Sequence, residues 1–502
     1  MSDAFSFADD PEPLPAAEGS RRRGVSLADL VPKARFIGCD DIVATGFSDD
    51  PRRCRRGDVF FARLSADGDG HDEVGRALAA GAVGVVAERI VPTGGVPLCL
   101  VRSSDDTLAR VAHALAGSPA DRLRVIAVTG TSGKTTTAWL IASVLAEAGL
   151  RVGLLTDLGG VDAGGSFLPA ADDAAAGVLP ARLATLDAGG CTHVVVEVSS
   201  RMLTRRVLAG MACDTVVVPN LTTADLDLHD TAAAARRLER RIIESLADDG
   251  CLVTGGSGRL GRLVTRVAAS RPGVACVAAG PAAGGDVRIR TVDRSLFGRT
   301  FLLESAGDVL PVVVDTPVAS FARNAACAAA VGLRHGVALE AIARGIEAVG
   351  SVPGRVERID CGQDAAVFVD VASSSHGLAA TLSSLRQLTT GRLAVLVEEE
   401  ATTGLGRQAF GRLARRWCDD VVTVPAEMLA EEGSAAAVAA YARVDRLLAG
   451  LRRADCLLVV GRVPADGGPR PAEAVPLSAI VSGWLRLAHP ATDAGFGSLR
   501  AA

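Results

Sequence analysis

Lysine is nearly missing from this chain: 502 residues include only Lys33 and Lys134, against 51 arginines. Guanidinium groups carry almost all the positive charge, and no lysine occurs after position 134. Also absent is an unbroken apolar run long enough to span a bilayer, although 49% of the residues are hydrophobic, so a membrane-spanning helix is not expected. The opening residues place Asp9, Asp10, Glu12 and Glu18 before Arg21-Arg22-Arg23 and lack the apolar core of a secretory signal. They predict a disordered tail over 1–25 and a cytoplasmic protein. Eleven cysteines run from Cys39 to Cys456 without a close pair, which argues against a zinc site or a disulfide framework and suits a reducing compartment. A net charge of -5 gives no electrostatic reason to expect a nucleic-acid partner.

What is present is α/β grammar on the scale of about three domains, at the usual 100–200 residues each. Residues 26–118 read as a first domain. In it, the strand Gly57–Leu64, the helix Asp72–Ala80 and the strand Ala82–Ala87 form a βαβ-like unit. Residues 119–350 open with the apolar strand Leu123–Thr129, pass through a glycine-rich loop into a helix over Thr135–Ala148, and reach strands at Val152–Thr156, Thr192–Val198, Thr215–Val218 and Cys251–Val253. That order predicts a parallel sheet wrapped by helices. Ser351-Val-Pro-Gly-Arg355 reads as a hinge into a third α/β domain over 351–490, with strands near Ala366–Val371, Leu393–Val397, Val421–Val424 and Leu457–Val460. Residues 491–502 read as a second tail.

One of the two lysines lies in Gly130-Thr-Ser-Gly-Lys-Thr-Thr136. Between a strand and a helix, this spacing cradles nucleotide phosphates with backbone N–H groups and the helix N-terminus. A compact ammonium fits between two phosphates where a planar guanidinium fork is too broad. Gly130, Thr131, Ser132, Gly133, Lys134, Thr135 and Thr136 are therefore the candidate ATP-binding residues, with a Thr135 or Thr136 hydroxyl on Mg2+. Val128 stands where the longer form of the motif has glycine, so the loop is a shortened one; a bare structural turn is the alternative.

Further segments make the chain resemble the Mur ligases, closest to the type that adds the third amino acid to UDP-N-acetylmuramoyl dipeptide. Asp50-Pro-Arg52, Arg56-Gly-Asp-Val-Phe60, Asp69-Gly-His-Asp72, Gly81-Ala-Val83 and Ala87-Glu88 are similar to that family's uridine-nucleotide domain. Val196-Glu-Val-Ser-Ser200, Asn220-Leu221 with Asp227 and His229, and Pro353-Gly-Arg-Val-Glu357 are similar to its later motifs, and Asn324 resembles its adenine-side asparagine. The resemblance implies three α/β domains with a central phosphate-loop sheet. It also implies an ATP-dependent reaction in which a substrate carboxylate becomes an acyl phosphate and an amine then attacks to form an amide. Lys134, Glu197, Arg355 and Asp370 would be catalytic, ATP and Mg2+ the cofactors, a UDP-muramoyl peptide or related carboxylate and an amine the substrates, and cell-wall enzymes possible partners. The alternative is a nucleotide-binding paralogue that has lost ligation and serves such enzymes as a regulator or scaffold.

Several motifs depart from the family. Its second metal site uses a glutamate, a histidine and a carbamylated lysine; here Asp225 and Glu239 fall at the histidine and lysine positions. Glu197, Asp225 and Glu239, with Thr135, would then form an all-oxygen site suited to magnesium. Against this, Arg236, Arg237, Arg240 and Arg241 favour a solvated helix face for Glu239. Asp172-Asp173 replaces a pair of threonines and would repel a carboxylate or phosphate, unless these are simply loop acids. In the third domain, Asp370-Val-Ala-Ser-Ser-Ser-His376 loses a histidine at Ser373, Glu398-Glu-Glu400 replaces a glycine-rich basic run, and Val424-Pro-Ala-Glu427 lacks the arginine that would clamp an amino-acid carboxylate. Diaminopimelate addition in the family's usual form is not expected. His193 and His376 read as structural and exposed histidines, and Cys191 and Cys213 as buried small hydrophobes.

Overall fold

The computed structural model describes residues 24–65, 68–221, 232–256, 259–281, 286–352, 354–371, 374–425, 435–461 and 477–488. Asp225, Asp227, His229 and Ser373 lie outside these residues.

The N-terminal unit is a five-stranded sheet of β1 (Arg35–Ile37), β2 (Phe47–Ser48), β3 (Val59–Phe61), β4 (Gly84–Ala87) and β5 (Leu98–Leu100), in the order β1-β5-β4-β3-β2. Strands β2 to β5 are parallel and β1 is antiparallel at its edge. Both faces are covered, so β3 and β4 are buried at every residue and read as continuous apolar runs. Helices α1 (Val74–Ala79) and α2 (Ser104–Leu115) supply that cover. The expected βαβ unit is present, with shorter elements.

The central unit carries an 11-stranded sheet. In chain order its elements are β6 (Arg124–Val128), α3 (Lys134–Glu147), β7 (Val152–Thr156), β8 (Gly159–Val161), β9 (Phe167–Leu168), α4 (Val178–Ala188), β10 (His193–Glu197), α5 (Ser200–Thr204), β11 (Cys213–Val218) and α6 (Ala232–Glu244). There follow β12 (Leu246–Thr254), α7 (Arg259–Ser270), β13 (Ala275–Gly280), β14 (Val287–Arg294), β15 (Arg299–Ser305), β16 (Asp308–Val314), α8 (Phe321–Arg334) and α9 (Leu339–Glu347). The spatial order is β9-β8-β7-β10-β6-β11-β12-β13-β14-β15-β16. The middle is parallel as the sequence predicts. Antiparallel strands extend both edges, β8 and β9 on one side and β15 and β16 on the other, which the sequence reading does not anticipate. One apolar layer packs α3, α8 and α9 onto a face of the sheet, and a second packs α4 to α7 onto the other.

The C-terminal unit is a five-stranded sheet of β17 (Arg355–Ile359), β18 (Ala366–Asp370), β19 (Leu393–Glu398), β20 (Asp420–Val424) and β21 (Cys456–Val460), in the order β17-β18-β21-β19-β20. All but β17 run parallel. Helix α10 (Ser375–Leu388) starts at Ser374, whose hydroxyl caps the Gly377 N–H. The turn between β14 and β15 reaches this unit: Leu296 packs on its core and the Arg358 guanidinium sits 4.6 Å from the Phe297 ring centroid. Ala319 N–H donates to Ser384 Oγ at 3.1 Å across the same junction.

Candidate active site

The cleft between the central and C-terminal units is lined by the loop into α3, the end of β10, the start of α8 and the first strands of the third sheet. Strand β6 ends at Val128 and the chain turns through Gly130 at φ 142° and Gly133 at φ 77° before α3 begins at Lys134. Glycine is required at both positions by space as well as by φ. A Cβ on Gly130 would lie 2.7 Å from the Asn220 carbonyl, and one on Gly133 would lie 2.7 Å from Asn324 Oδ1. The glycines are legible from spacing; Asn220 stands out only through the family-like motif, which does not show that it clamps this loop. Asn220 Oδ1 accepts from Ser132 N–H at 3.0 Å, its amide donates to Ser132 O at 2.7 Å, and its carbonyl accepts from Thr131 N–H at 3.3 Å.

Lys134 opens α3, where the helix N-terminus adds its own partial positive charge. Facing it, Glu197 ends β10 and is 3% exposed. Burial pushes the Glu197 carboxyl up to about 7, Asp157 adds to the shift, and Lys134, Arg355 and a hydrogen bond from Thr135 oppose it. A carboxylate so enclosed calls for a cation to hold its charge. Thr135 is buried beside it, and its Oγ1 accepts from Arg355 Nη2 at 3.0 Å. Arg355 also donates to the Val371 carbonyl. Asp370, buried at the end of β18, accepts from Thr381 Oγ1 at 3.1 Å; burial raises its carboxyl, and Arg355 and Thr381 counter that. Lys134, Thr135, Glu197, Asn324, Arg355 and Asp370 all line one cleft, as their candidate roles require.

Other residues are placed differently from the sequence reading. Glu239 is not on a solvated face: it is 6% exposed and its carboxylate is ion-paired with Arg266 of α7. The arginines around it suggest an outer surface, but α6 buries the stripe that carries Leu238, Glu239 and Ile242 against the sheet. Asp172 and Asp173 are not bare charges on a loop. Arg182 grips Asp173 at 3.0 Å and Arg201 lies 3.0 Å from Asp172. Asp172 also accepts the Ala174 N–H at 3.1 Å. Glu398 ends β19 and is buried, while Glu399 pairs with Arg407 at 3.4 Å. His193 opens β10 against His335, with ring centroids 5.2 Å apart, far from any reactive role. Cys191 and Cys213 are buried as expected. Among the described residues no helix is long and apolar enough to cross a membrane.

Residues 128–332 match the Mur ligase middle domain and residues 354–463 the Mur ligase, glutamate ligase domain. The UDP-N-acetylmuramoyl-L-alanyl-D-glutamate–2,6-diaminopimelate ligase of Geobacter metallireducens is 30% identical over 406 residues, 78% of each chain. The UDP-N-acetylmuramyl-tripeptide synthetase of a Roseiflexus species is 32% identical over 409 residues, 77% of this chain and 79% of the relative. Among solved structures, a UDP-N-acetylmuramoyl-L-alanyl-D-glutamate–2,6-diaminopimelate ligase superposes with a TM-score of 0.65 at 20% identity, covering 93% of this chain and 100% of that one. The ADP complex of MurF from Thermotoga maritima superposes with a TM-score of 0.55 at 20% identity, covering 83% and 93%.

Proposed function

The chain belongs to the Mur ligase family, and from that premise we propose that it is an ATP-dependent ligase acting on a UDP-muramoyl-peptide-type carboxylate in peptidoglycan precursor synthesis. The observation that carries this reading is the placement of Lys134, at the head of α3 and facing buried Glu197, at the end of a glycine loop that Asn220 braces through the Thr131 and Ser132 N–H groups. Such a loop binds phosphates. Lys134 would lie along the β- and γ-phosphates and Asn324 against the loop on the adenine side. The donors Thr135 Oγ1 and the Glu197 carboxylate are hard oxygens, and they fit a magnesium ion that would neutralise phosphate charge.

The γ-phosphoryl group then passes to a substrate carboxylate oxygen and ADP leaves. An amine attacks the acyl carbon, the C–O bond to phosphate breaks, and amide and phosphate separate. Phosphoryl transfer asks mainly for positioning and charge neutralisation. Arg355 brings a third cation to the cleft from the C-terminal unit, and Asp370 holds that guanidinium electrostatically. Closure of the two units excludes water, which protects the acyl phosphate from hydrolysis. A reaction that consumes ATP and a nucleotide-linked precursor belongs in the cytoplasm.

A second reading rests on Glu398-Glu399-Glu400, which puts acidic residues at the end of β19 where the family resemblance calls for a basic, glycine-rich run. On it, the protein binds nucleotide without ligating and acts on cell-wall enzymes as a regulator. Purified protein incubated with ATP, magnesium and UDP-N-acetylmuramoyl peptides separates the two. Phosphate release that depends on the peptide supports ligation. No release with any precursor, alongside nucleotide affinity that is lost in Lys134→Ala, leaves the second reading.

A further inference from the structure

The mouth of the phosphate loop carries one carboxylate more than the ATP site described above uses. Strand β7 lies directly beside β10, with Leu155 opposite Val196, so the residues just past their ends emerge together next to Lys134. Asp157 is the second carboxylate at that edge. Its backbone N–H points at Glu197 Oε2 from 3.4 Å, and its charge is felt by both Glu197 and Asp173. A short turn fixes it: Thr156 Oγ1 donates to the Gly159 carbonyl at 2.8 Å and accepts the Leu158 N–H at 3.2 Å.

The surrounding charges separate Asp157 from its neighbours. Asp173 is held by Arg182 and Asp172 by Arg201, so those acids are neutralised within the protein. Glu239, the sequence's candidate for an extra metal carboxylate, is taken by Arg266. Asp157 is exposed, and among the described residues no arginine or lysine pairs with it. It therefore adds uncompensated negative charge beside a buried glutamate, an arrangement that repels phosphate unless a cation stands between them. Thr135 and Glu197 line the cleft, and Asp157, in the turn after β7, sets its backbone N–H against Glu197, so three oxygen-bearing residues meet at this edge; oxygen donors of this kind suit a hard divalent cation.

We propose that Asp157 is a further residue of the magnesium site, the second carboxylate beside Glu197 in holding the divalent cation that accompanies ATP. The proposal rests on the ATP reading given above. It assigns to this chain a site made from the ends of neighbouring strands, with no need of a lysine-derived ligand.

The test is direct titration of Mn2+, followed by the paramagnetic resonance signal of the free ion, with a non-hydrolysable imido analogue of ATP. Asp157→Asn and Asp157→Ser are compared with wild type and with Asp172→Asn, which removes a nearby carboxylate that already has an arginine. Both Asp157 variants weaken Mn2+ uptake in the ternary complex about tenfold or more, and Asp172→Asn stays within about twofold. Metal-free ADP binding in the presence of a chelator is unchanged in all three. Wild-type uptake in the Asp157 variants overturns the proposal and leaves the ATP reading standing. Absence of nucleotide-dependent uptake in the wild type overturns both.

Discussion

Arg355 Nη2 donates to Thr135 Oγ1 at 3.0 Å, joining the first strand of the C-terminal unit to the first turn of the phosphate-loop helix. The same hydroxyl hydrogen-bonds Glu197, so Arg355, Thr135 and Glu197 form a relay across the junction. The guanidinium thus stands at the head of the phosphate-loop helix, in the same cleft as Lys134 and Glu197. Arg355→Ala is expected to lower kcat/KM on the order of 10²–10³, the usual cost of removing one donor aimed at developing charge. Arg355→Lys does not restore it, because the contacts come from two separate nitrogens of the planar fork, Nη2 to Thr135 and Nη1 to the Val371 carbonyl, which one compact ammonium does not span. Steady-state phosphate release checks both.

Lys134 tolerates neither deletion nor its nearest replacement. Lys134→Ala and Lys134→Arg are both expected to lose nucleotide affinity by an order of magnitude or more, since the guanidinium fork does not fit between phosphates. Fluorescent nucleotide titration reads the loss, and unchanged affinity in Lys134→Arg would show that the loop does not cradle phosphate.

The loop also depends on shape. Gly133→Ala puts a Cβ 2.7 Å from Asn324 Oδ1 at a φ of 77°. Strain of this kind costs about 1–3 kcal/mol. The expected result is a lower thermal midpoint together with weaker nucleotide binding.

Glu239 offers a contrast between a ligand and a structural ion pair. Arg266 is 45% exposed, so the pair is only half shielded and screening reduces its worth. Glu239→Gln is expected to destabilise the protein by about 1 kcal/mol and to leave the magnesium dependence of activity unaltered. A shifted magnesium requirement would return Glu239 to the metal site.

Acid sensitivity has a local origin at His335. Burial and the neighbouring His193 push its imidazole down to about 4, from an ordinary value of 6.5. The unfolded chain therefore takes up a proton that the folded chain refuses as pH falls from 6.5 to about 4, and stability drops across that window. Because the ring is only partly enclosed, the loss is about 1–2 kcal/mol after allowance for solvent. His335→Gln removes this contribution, so its thermal midpoint falls less than that of wild type between neutral and acid pH.

The phosphate loop, the parallel core of the central sheet and the third α/β unit are legible in the sequence because each depends on local signals: apolar runs, glycine spacing and a lysine that arginine cannot replace. The site residues Asn324, Arg355 and Asp370 come from the family resemblance, since spacing alone does not bring residues so far apart into one cleft. Strands β14 to β16 are harder. Val287 and Ile289 alternate with Arg288 and Arg290, a period-2 signal, but it is short and interrupted by charge, and the strands expected of the central domain stop at Cys251–Val253. Glu239 misleads for the converse reason: four arginines around it suggest solvent, and only the tertiary packing of α6 shows that its own face is inward. Asp157 is silent in the sequence because its meaning depends on which neighbouring acids have found an arginine.

The β14–β15 turn changes what kind of movement is open to the C-terminal unit. A chain joined to its neighbour only by the segment around Val352 could swivel in every direction. With Leu296 and Phe297 seated on its core and on Arg358, it is fastened at a second point. Together with the Ala319–Ser384 and Arg355–Thr135 hydrogen bonds, this contact narrows the directions in which the unit can turn and keeps Arg355 over the phosphate loop.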